Sequence, residues 1–345
     1  MGKSQNHLFA LPAHDLAHIL SHSATELEAL RGKRLFITGG TGFFGKWLLG
    51  ALDYANTNLD LGLCVTILSR DPAAFLRRHP EADITSFNFI GGHVADFTLV
   101  RQPDDYIIHA AADTTAITND ADERERSRAI VAGTQHVLEY AKNSRARLLN
   151  ISSGAVYGSY TSQLTGARED DYDFAHPQIP YAEAKREAEQ LCAESEIDFV
   201  TARAFAFLGP YLPLEAHFAA GNFLRDAIKG GPILVRGDGT ALRSYLHPAD
   251  LVIWLLRILI RGQCARAYNV GSDEVVTTAQ LARLIAAAAA RPGVQPAPEV
   301  EIQSVQPQGP QNIYLPNLHR ARTELKLDVF IPLQDAIART LAFLG

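Results

Sequence analysis

The segment Leu35-Phe36-Ile37-Thr38-Gly39-Gly40-Thr41-Gly42-Phe43-Phe44-Gly45 constrains the fold of this chain more than any other. Apolar residues run into a glycine-rich turn, and the helix-compatible run Lys46-Trp47-Leu48-Leu49 follows. The pattern predicts a buried strand, a tight turn and a helix start. Such a turn leaves backbone N–H groups bare at the positive end of a helix dipole, where a pyrophosphate binds well. Gly39 permits the turn, Gly42 lets the backbone approach the phosphates, and Gly45 lets helix pack on strand.

The same alternation continues along the chain. Further strands are expected at Cys64–Leu68, Ile84–Ile90, Tyr106–His109, Arg147–Ser152 and Phe199–Arg203, with helices at Ile130–Asn143 and Tyr181–Glu194. Strands this apolar, alternating with helices, imply an α/β protein with a Rossmann-type, doubly wound parallel sheet covered on both faces. Ligands in such sheets sit at the carboxyl ends of the strands, here Thr38-Gly39, Ser69-Arg70, His109-Ala110-Ala111, Ser152-Ser153 and Arg203.

After Gly209-Pro210, loops rich in glycine and proline break the pattern. Helix Ala249–Arg261 and strand Ala267–Val270 read as a return to the sheet, and helices Thr278–Ala290 and Leu333–Phe343 close the chain. The expected organisation is a helical lead-in (residues 1–32), a dinucleotide-binding domain (33–203 with about 246–273) and a smaller C-terminal lobe (204–245 and 274–345). In the lead-in, Leu16, Ile19, Leu20, Leu27 and Leu30 recur at helical spacing. His14, His18 and His22 share a helical face that reads as solvated, and Asp120–Arg128 reads as a loop and exposed helix start.

The chain has 345 residues, 47% of them apolar, enough for a sizeable core. A net charge of −6 gives no electrostatic reason to expect nucleic acid. No apolar run is long enough for a membrane span and the first residues lack a signal core, so a cytoplasmic protein is expected. The three cysteines (Cys64, Cys192 and Cys264) are widely separated and without metal-type spacing, which suits reduced thiols and no metal site.

Two later segments carry chemistry: Ile151-Ser152-Ser153-Gly154-Ala155-Val156-Tyr157-Gly158 and Tyr181-Ala182-Glu183-Ala184-Lys185. Tyr181 and Lys185, four apart, share one helical face. A nearby ammonium favours phenolate and lowers the phenol's pKa. A phenol so tuned takes a proton from a hydroxyl while hydride leaves the same carbon for a nicotinamide. Ser153 would hydrogen-bond the reacting oxygen, and Tyr157 reads as packing at the pocket wall.

With these segments, His109-Ala110-Ala111, Arg203 with Gly209-Pro210, Gly237-Asp238-Gly239 with Arg243-Ser244-Tyr245, and Tyr268-Asn269-Val270-Gly271, the chain resembles the extended short-chain dehydrogenase/reductases. Within them it resembles the nucleotide-sugar epimerase/dehydratase group, over residues 33–345. The resemblance implies Ser153, Tyr181 and Lys185 as catalytic residues. It implies a cofactor site of Gly39, Thr41, Gly42, Phe43, Phe44, Gly45, Ser69, Arg70, Ala110, Ala111 and Lys185. Substrate contacts would be Ser153, Asn222 and Arg243, the last a guanidinium fork for the diphosphate. Asn222 reads equally as a helix-start cap. The implied partners are a nucleotide-diphosphate sugar and a second copy in a homodimer.

Departures from the family pattern choose among reactions. Many 4,6-dehydratases and related decarboxylases carry acidic residues just after the catalytic Ser or Thr, where this chain has Gly154 and Ala155. Elimination across C5–C6 needs an acid and a base, so the neutral pair points to a 4-epimerase that oxidises C4 transiently. The alternatives are a 4,6-dehydratase with its base supplied by His217 or Glu215, a 4-ketoreductase, and a non-catalytic dinucleotide-binding protein. Ala206 stands where the family often has asparagine, and His93 where Gly-Asp-Val is the familiar adenine-side pattern. The cofactor is NAD or NADP: Arg70 suits a 2′-phosphate or a stack on adenine, and Asp71 suits the ribose of NAD or a turn before Pro72.

Overall fold

The computed structural model describes residues 10–79, 87–98, 103–111, 120–158, 165–171, 179–216, 218–290, 296–304 and 312–345. The chain enters through α1 (Ala13–His22) and α2 (Ala24–Ala29). It then alternates through β1 (Arg34–Thr38), α3 (Phe43–Leu59), β2 (Cys64–Ser69), α4 (Pro72–Arg78), β3 (Phe87–Gly91), β4 (Tyr106–His109), α5 (Asp120–Ser144), β5 (Arg147–Ser153), α6 (Pro180–Glu194) and β6 (Phe199–Ala204). Shorter elements follow: α7 (Ala219–Ile228), β7 (Ile233–Val235), β8 (Leu242–Arg243), α8 (Pro248–Arg261), β9 (Arg266–Val270), β10 (Val276–Thr277), α9 (Thr278–Ala289), β11 (Val300–Ile302), β12 (Ile313–Tyr314), α10 (His319–Leu325) and α11 (Leu333–Leu344).

The main sheet runs β3-β2-β1-β4-β5-β6-β9, and every pairing in it is parallel. Strand order reverses between β1 and β4, which opens a crevice at their carboxyl ends. Thr38 lies opposite Leu68 on one side and His109 on the other. That register places the glycine turn, the Ser69-Arg70 corner and the Ala110-Ala111 step on one edge. The strands are apolar because both faces are covered: Leu35, Phe36, Ile37, Ile67, Ile107 and Ile108 are fully buried. As expected, β9 returns to this sheet beside β6. Two small sheets, β10-β8-β12 and β11-β7, lie outside it.

α8 is apolar through its middle, and Leu251 through Leu256 are fully buried. It can be so because β5 and β6 contact it, as do α3 and the lead-in helices α1 and α2. Leu16, Ile19, Leu27 and Leu30 of the lead-in join the main core.

Two readings change here. The Asp120–Arg128 run is a helix start, as expected in part, but without a loop: it forms the opening turns of α5, which continues to Ser144. The third strand is described from Phe87, and Ile84–Ser86 lie outside the described residues. The histidine face is not solvated. His18 Nε2–H donates to Asp250 Oδ1 at 3.0 Å, and the His22 ring lies 4.3 Å from Phe330, leaving His14 as the exposed member. The acidic partner was invisible locally because it comes from α8, 232 positions away. Around it, Asp250 Oδ2 accepts the backbone N–H groups of Phe330 and Ile331 at 2.9 Å each. Arg339 donates to buried Asp15, and Arg257 and Arg261 both reach Glu26. Among the described residues no helix is long and apolar enough to cross a membrane, and no acidic, histidine or cysteine group could hold a metal.

Candidate active site

The turn between β1 and α3 is shaped by contacts that only glycine allows. Gly39 has φ +74°, and a Cβ there would lie 2.5 Å from the Ala110 carbonyl oxygen. A Cβ at Gly45 would lie 2.2 Å from the Gly40 oxygen, so Gly45 brings the helix start onto the turn itself rather than onto the strand as expected. Gly42 is the N-cap of α3 and its N–H bonds the Gly39 carbonyl at 3.1 Å. Phe43 and Phe44 are the first helical residues, and Phe44 packs edge-on against Phe207 at 4.8 Å. Their packing helps hold the turn, and the first backbone N–H groups of α3 lie at the positive end of its helix dipole. A turn held this tightly, with Gly39 against Ala110 and Gly45 against Gly40, sets the start of α3 at the crevice, and backbone amides at a helix start suit a dinucleotide pyrophosphate.

The Ala110-Ala111 wall is held by a chain of hydrogen bonds under the crevice. Thr134 Oγ1 donates to Ile130 O at 2.8 Å, so it accepts from His109 Nε2–H at 3.2 Å. His109 Nδ1 then accepts from Thr38 Oγ1 at 2.8 Å, and Thr38 Oγ1 accepts the Ala111 N–H at 3.2 Å. Burial, aided by the Lys185 charge, holds the His109 pKa down to about 3, so the ring stays neutral and the network keeps one tautomer.

Ser153 ends β5, and Tyr181 and Lys185 lie on α6, which begins at Pro180. Tyr181 and Ser153 face each other across the crevice end of β5 and α6. Ser153 Oγ accepts the Ala155 N–H at 3.1 Å, as cap of the short 3-10 turn Gly154–Tyr157. Lys185 is buried, and its ammonium donates to the Ile151 carbonyl at 2.9 Å. Burial lowers the Lys185 pKa to about 8, against the pull of Glu189 and Cys192. The Tyr181 pKa is raised rather than lowered as the Tyr–Lys spacing predicts: burial dominates, and Ser153 and then the Arg126 charge only partly offset it. The cation acting on this phenol is therefore Arg126 of α5, whereas the spacing alone pointed to Lys185.

The sugar side of the crevice is assembled from distant segments. Tyr314, which sequence reasoning missed, brings its hydroxyl to 3.5 Å from both Ser153 Oγ and the Ala204 carbonyl. It stands opposite Arg243 in the parallel β8–β12 pair, and the Arg243 guanidinium lies 5.7 Å from its ring centre. Arg243 donates to the carbonyls of Leu242 and Asn312 at 2.7 and 3.1 Å. Burial lowers its pKa, Tyr245 and Tyr314 opposing. Phe205 packs between Tyr157 and Tyr314, with ring centres 6.0 and 4.9 Å away. A Cβ at Gly154 would lie 2.7 Å from the Phe205 ring, so the neutral position after Ser153 is enforced by its neighbour.

Other expected residues fall elsewhere. Asn222 is not a helix-start cap: α7 is capped at Phe218 without a side-chain bond, and Asn222 Oδ1 accepts from Arg225 at 3.1 Å. Glu215 is exposed and paired with the same Arg225 at 3.2 Å, and His217 lies outside the described residues. Tyr157 belongs to a buried network, donating to Asn269 at 2.6 Å and accepting from Arg203 at 2.9 Å, with Glu189 beside Arg203 at 2.7 Å. At the adenosine end Asp71 caps α4, its Oδ1 accepting the Ala74 N–H at 2.7 Å. Arg70 is exposed beside it, and His93 Nδ1 accepts the Ala95 N–H at 3.3 Å.

A family model described as NAD dependent epimerase/dehydratase matches residues 35–271. The chain belongs to this family. The family is NAD dependent, and the matched residues include the glycine turn, the Ser153 strand, the Tyr181–Lys185 helix and Arg243. Among relatives, the dTDP-glucose 4,6-dehydratase of Streptomyces niveus is 29% identical over 262 residues, which span 73% of this chain and 76% of that one. An epimerase from Methanothermobacter thermautotrophicus superposes with TM-score 0.78 at 23% identity, covering 94% of this chain and 96% of its own. The UDP-glucose 4-epimerase of Thermotoga maritima, solved with UDP-glucose, superposes with TM-score 0.73 at 19% identity, covering 90% and 98%. Within the epimerase/dehydratase family, these similarities carry the fold and leave the reaction to the chemistry of the site.

Proposed function

We propose that the chain is an NAD(P)-dependent nucleotide-sugar 4-epimerase. The observation that supports this reading is the neutral Gly154-Ala155 pair after Ser153, with the Phe205 ring 2.7 Å from where a Gly154 Cβ would stand, so that neither position offers the acid or the base an elimination needs. When bound, the nicotinamide supplies reversible hydride acceptance at the sugar's C4. Tyr181 takes the C4 hydroxyl proton as the hydride leaves, and Ser153 holds the same oxygen by a hydrogen bond. The 4-keto sugar turns within the pocket, and Tyr181 returns the proton when hydride comes back to the other face. Arg243 anchors the substrate diphosphate and Asn222 supports its sugar or phosphate end, so the hexose moves while the nucleotide stays. Lys185 orients the cofactor ribose and keeps positive charge beneath the site.

Incubation with a panel of nucleotide sugars, followed by NMR, tests the reaction. A C4 epimer is expected, and a 4-keto-6-deoxy product or net consumption of reduced nicotinamide would overturn it. The family is NAD-dependent, yet Asp71 is engaged as a cap and Arg70 stands next to it. Calorimetric titration with NAD and with NADP decides which of the two the site prefers. The family resemblance implies a homodimer, which analytical ultracentrifugation would read.

A further inference from the structure

A positive charge lies over the Tyr181 ring, and it comes from a residue outside every motif in the chain. The Arg126 guanidinium carbon lies 5.0 Å from the Tyr181 ring centre. Helical periodicity explains the placement. Arg126 and Ile130 are four apart on α5 and so share a face, and Ile130 packs with Ala184 and Ala188 of α6 while Tyr181 lies against that cluster. Tyr181, Ala184 and Ala188 form the matching stripe on α6, so contact between the two helices sets the ring under the guanidinium.

We infer that Arg126 is a positioning residue for Tyr181, fixing the ring by a cation–π contact and supplying the charge that favours the phenolate. The inference rests on the reading of Tyr181 as the acid/base. The groups facing the phenol are Ser153 from β5, Tyr314 from β12 and Arg126 from α5. Lys185, on the phenol's own helix, spends a hydrogen bond on Ile151 O. A guanidinium over an aromatic face attracts the neutral ring and attracts the phenolate more strongly, because a full negative charge replaces the quadrupole. Lys185 is left to the backbone and the cofactor side, and Arg126 serves the proton-transfer side.

The test uses the full chain labelled with ring-carbon-13 tyrosine, with the Tyr181 resonance assigned by its loss in Tyr181→Phe. Its titration is followed by NMR in the wild type, Arg126→Gln and Arg126→Lys. Arg126→Gln is expected to raise the Tyr181 midpoint by about one pH unit, a roughly tenfold smaller phenolate fraction at a given pH. Arg126→Lys keeps the charge and should stay near the wild type. Overlaid wild-type and Gln curves overturn the proposal, and so does a Lys variant that shifts as far as Gln. Should the Gln variant fail to fold, the Lys variant decides alone: a raised midpoint there overturns the assignment. Because this readout needs no turnover, it separates failure of this inference from failure of the epimerase reading, which inactivity on every nucleotide sugar would show.

Discussion

At the glycine-turn end of the crevice one stretch of chain, Thr38 to Gly45, supplies the turn and the helix start, and Ala110 closes it from the next strand. At the other end, proposed to hold the sugar, Ser153, Phe205, Arg243 and Tyr314 come from β5, the segment after β6, β8 and β12. The first end is bounded by backbone atoms, which cannot step aside. The second is bounded by side chains, which can be exchanged in pairs. A single added methyl should therefore ruin the first end, while the second should show damage that a partner substitution repairs.

Gly45→Ala puts the largest strain on this contrast, since its methyl would meet Gly40 backbone at 2.2 Å. Dinucleotide affinity by calorimetry should fall by at least about 100-fold, a size consistent with losing several charge-assisted donors. Retained affinity would mean the two ends yield alike. Tyr181→Phe comes next: turnover should drop by about 10³-fold, within the usual range for general acid–base catalysis, with dinucleotide binding unchanged. Near-normal turnover would remove Tyr181 from the chemistry.

The sugar end is probed by a double-mutant cycle. Gly154→Asp alone should destabilise the protein, because the new side chain meets the Phe205 ring at 2.7 Å. Phe205→Ala should recover part of that loss, giving a coupling of about 1–2 kcal/mol in denaturant melts. Additive effects would show that Phe205 does not police this position. The smallest effect is expected at Lys185, which lies between the two ends. Its folded pKa of about 8 is below the unfolded 10.5, so between those values the unfolded chain binds more protons and wild-type stability rises with pH. Lys185→Met removes the group, so its melting temperature relative to wild type should be highest below pH 8 and decline by a few degrees toward pH 10. A pH-independent difference would count against a depressed Lys185.

The same contrast explains what could be read from the chain. The glycine turn was legible because its constraints are local: each glycine answers a contact within a few residues or on the adjacent strand. The alternation of apolar strands and helices gave the sheet for the same reason. Tyr314 was not legible, since nothing near it marks it, and only the β8–β12 pairing brings it to Ser153. Arg126 was hidden inside a charge run whose periodicity was obscured by polar neighbours. The histidine face was misread because its acidic partner lies in α8. Asn222 failed as a cap because α7 begins at Ala219, ahead of it.

The family match begins at residue 35, yet the first two helices bury Leu16, Ile19, Leu27 and Leu30 against α8 and the core beneath it. An expression fragment trimmed to the homologous boundary would strip that cover and bare a continuous greasy helix. It would also leave Asp250, Arg339 and Arg257 facing water where they now clasp the leader. The leader is thus part of the folding unit, and anyone clipping or tagging this protein should cut ahead of Leu11, which is buried in the same core.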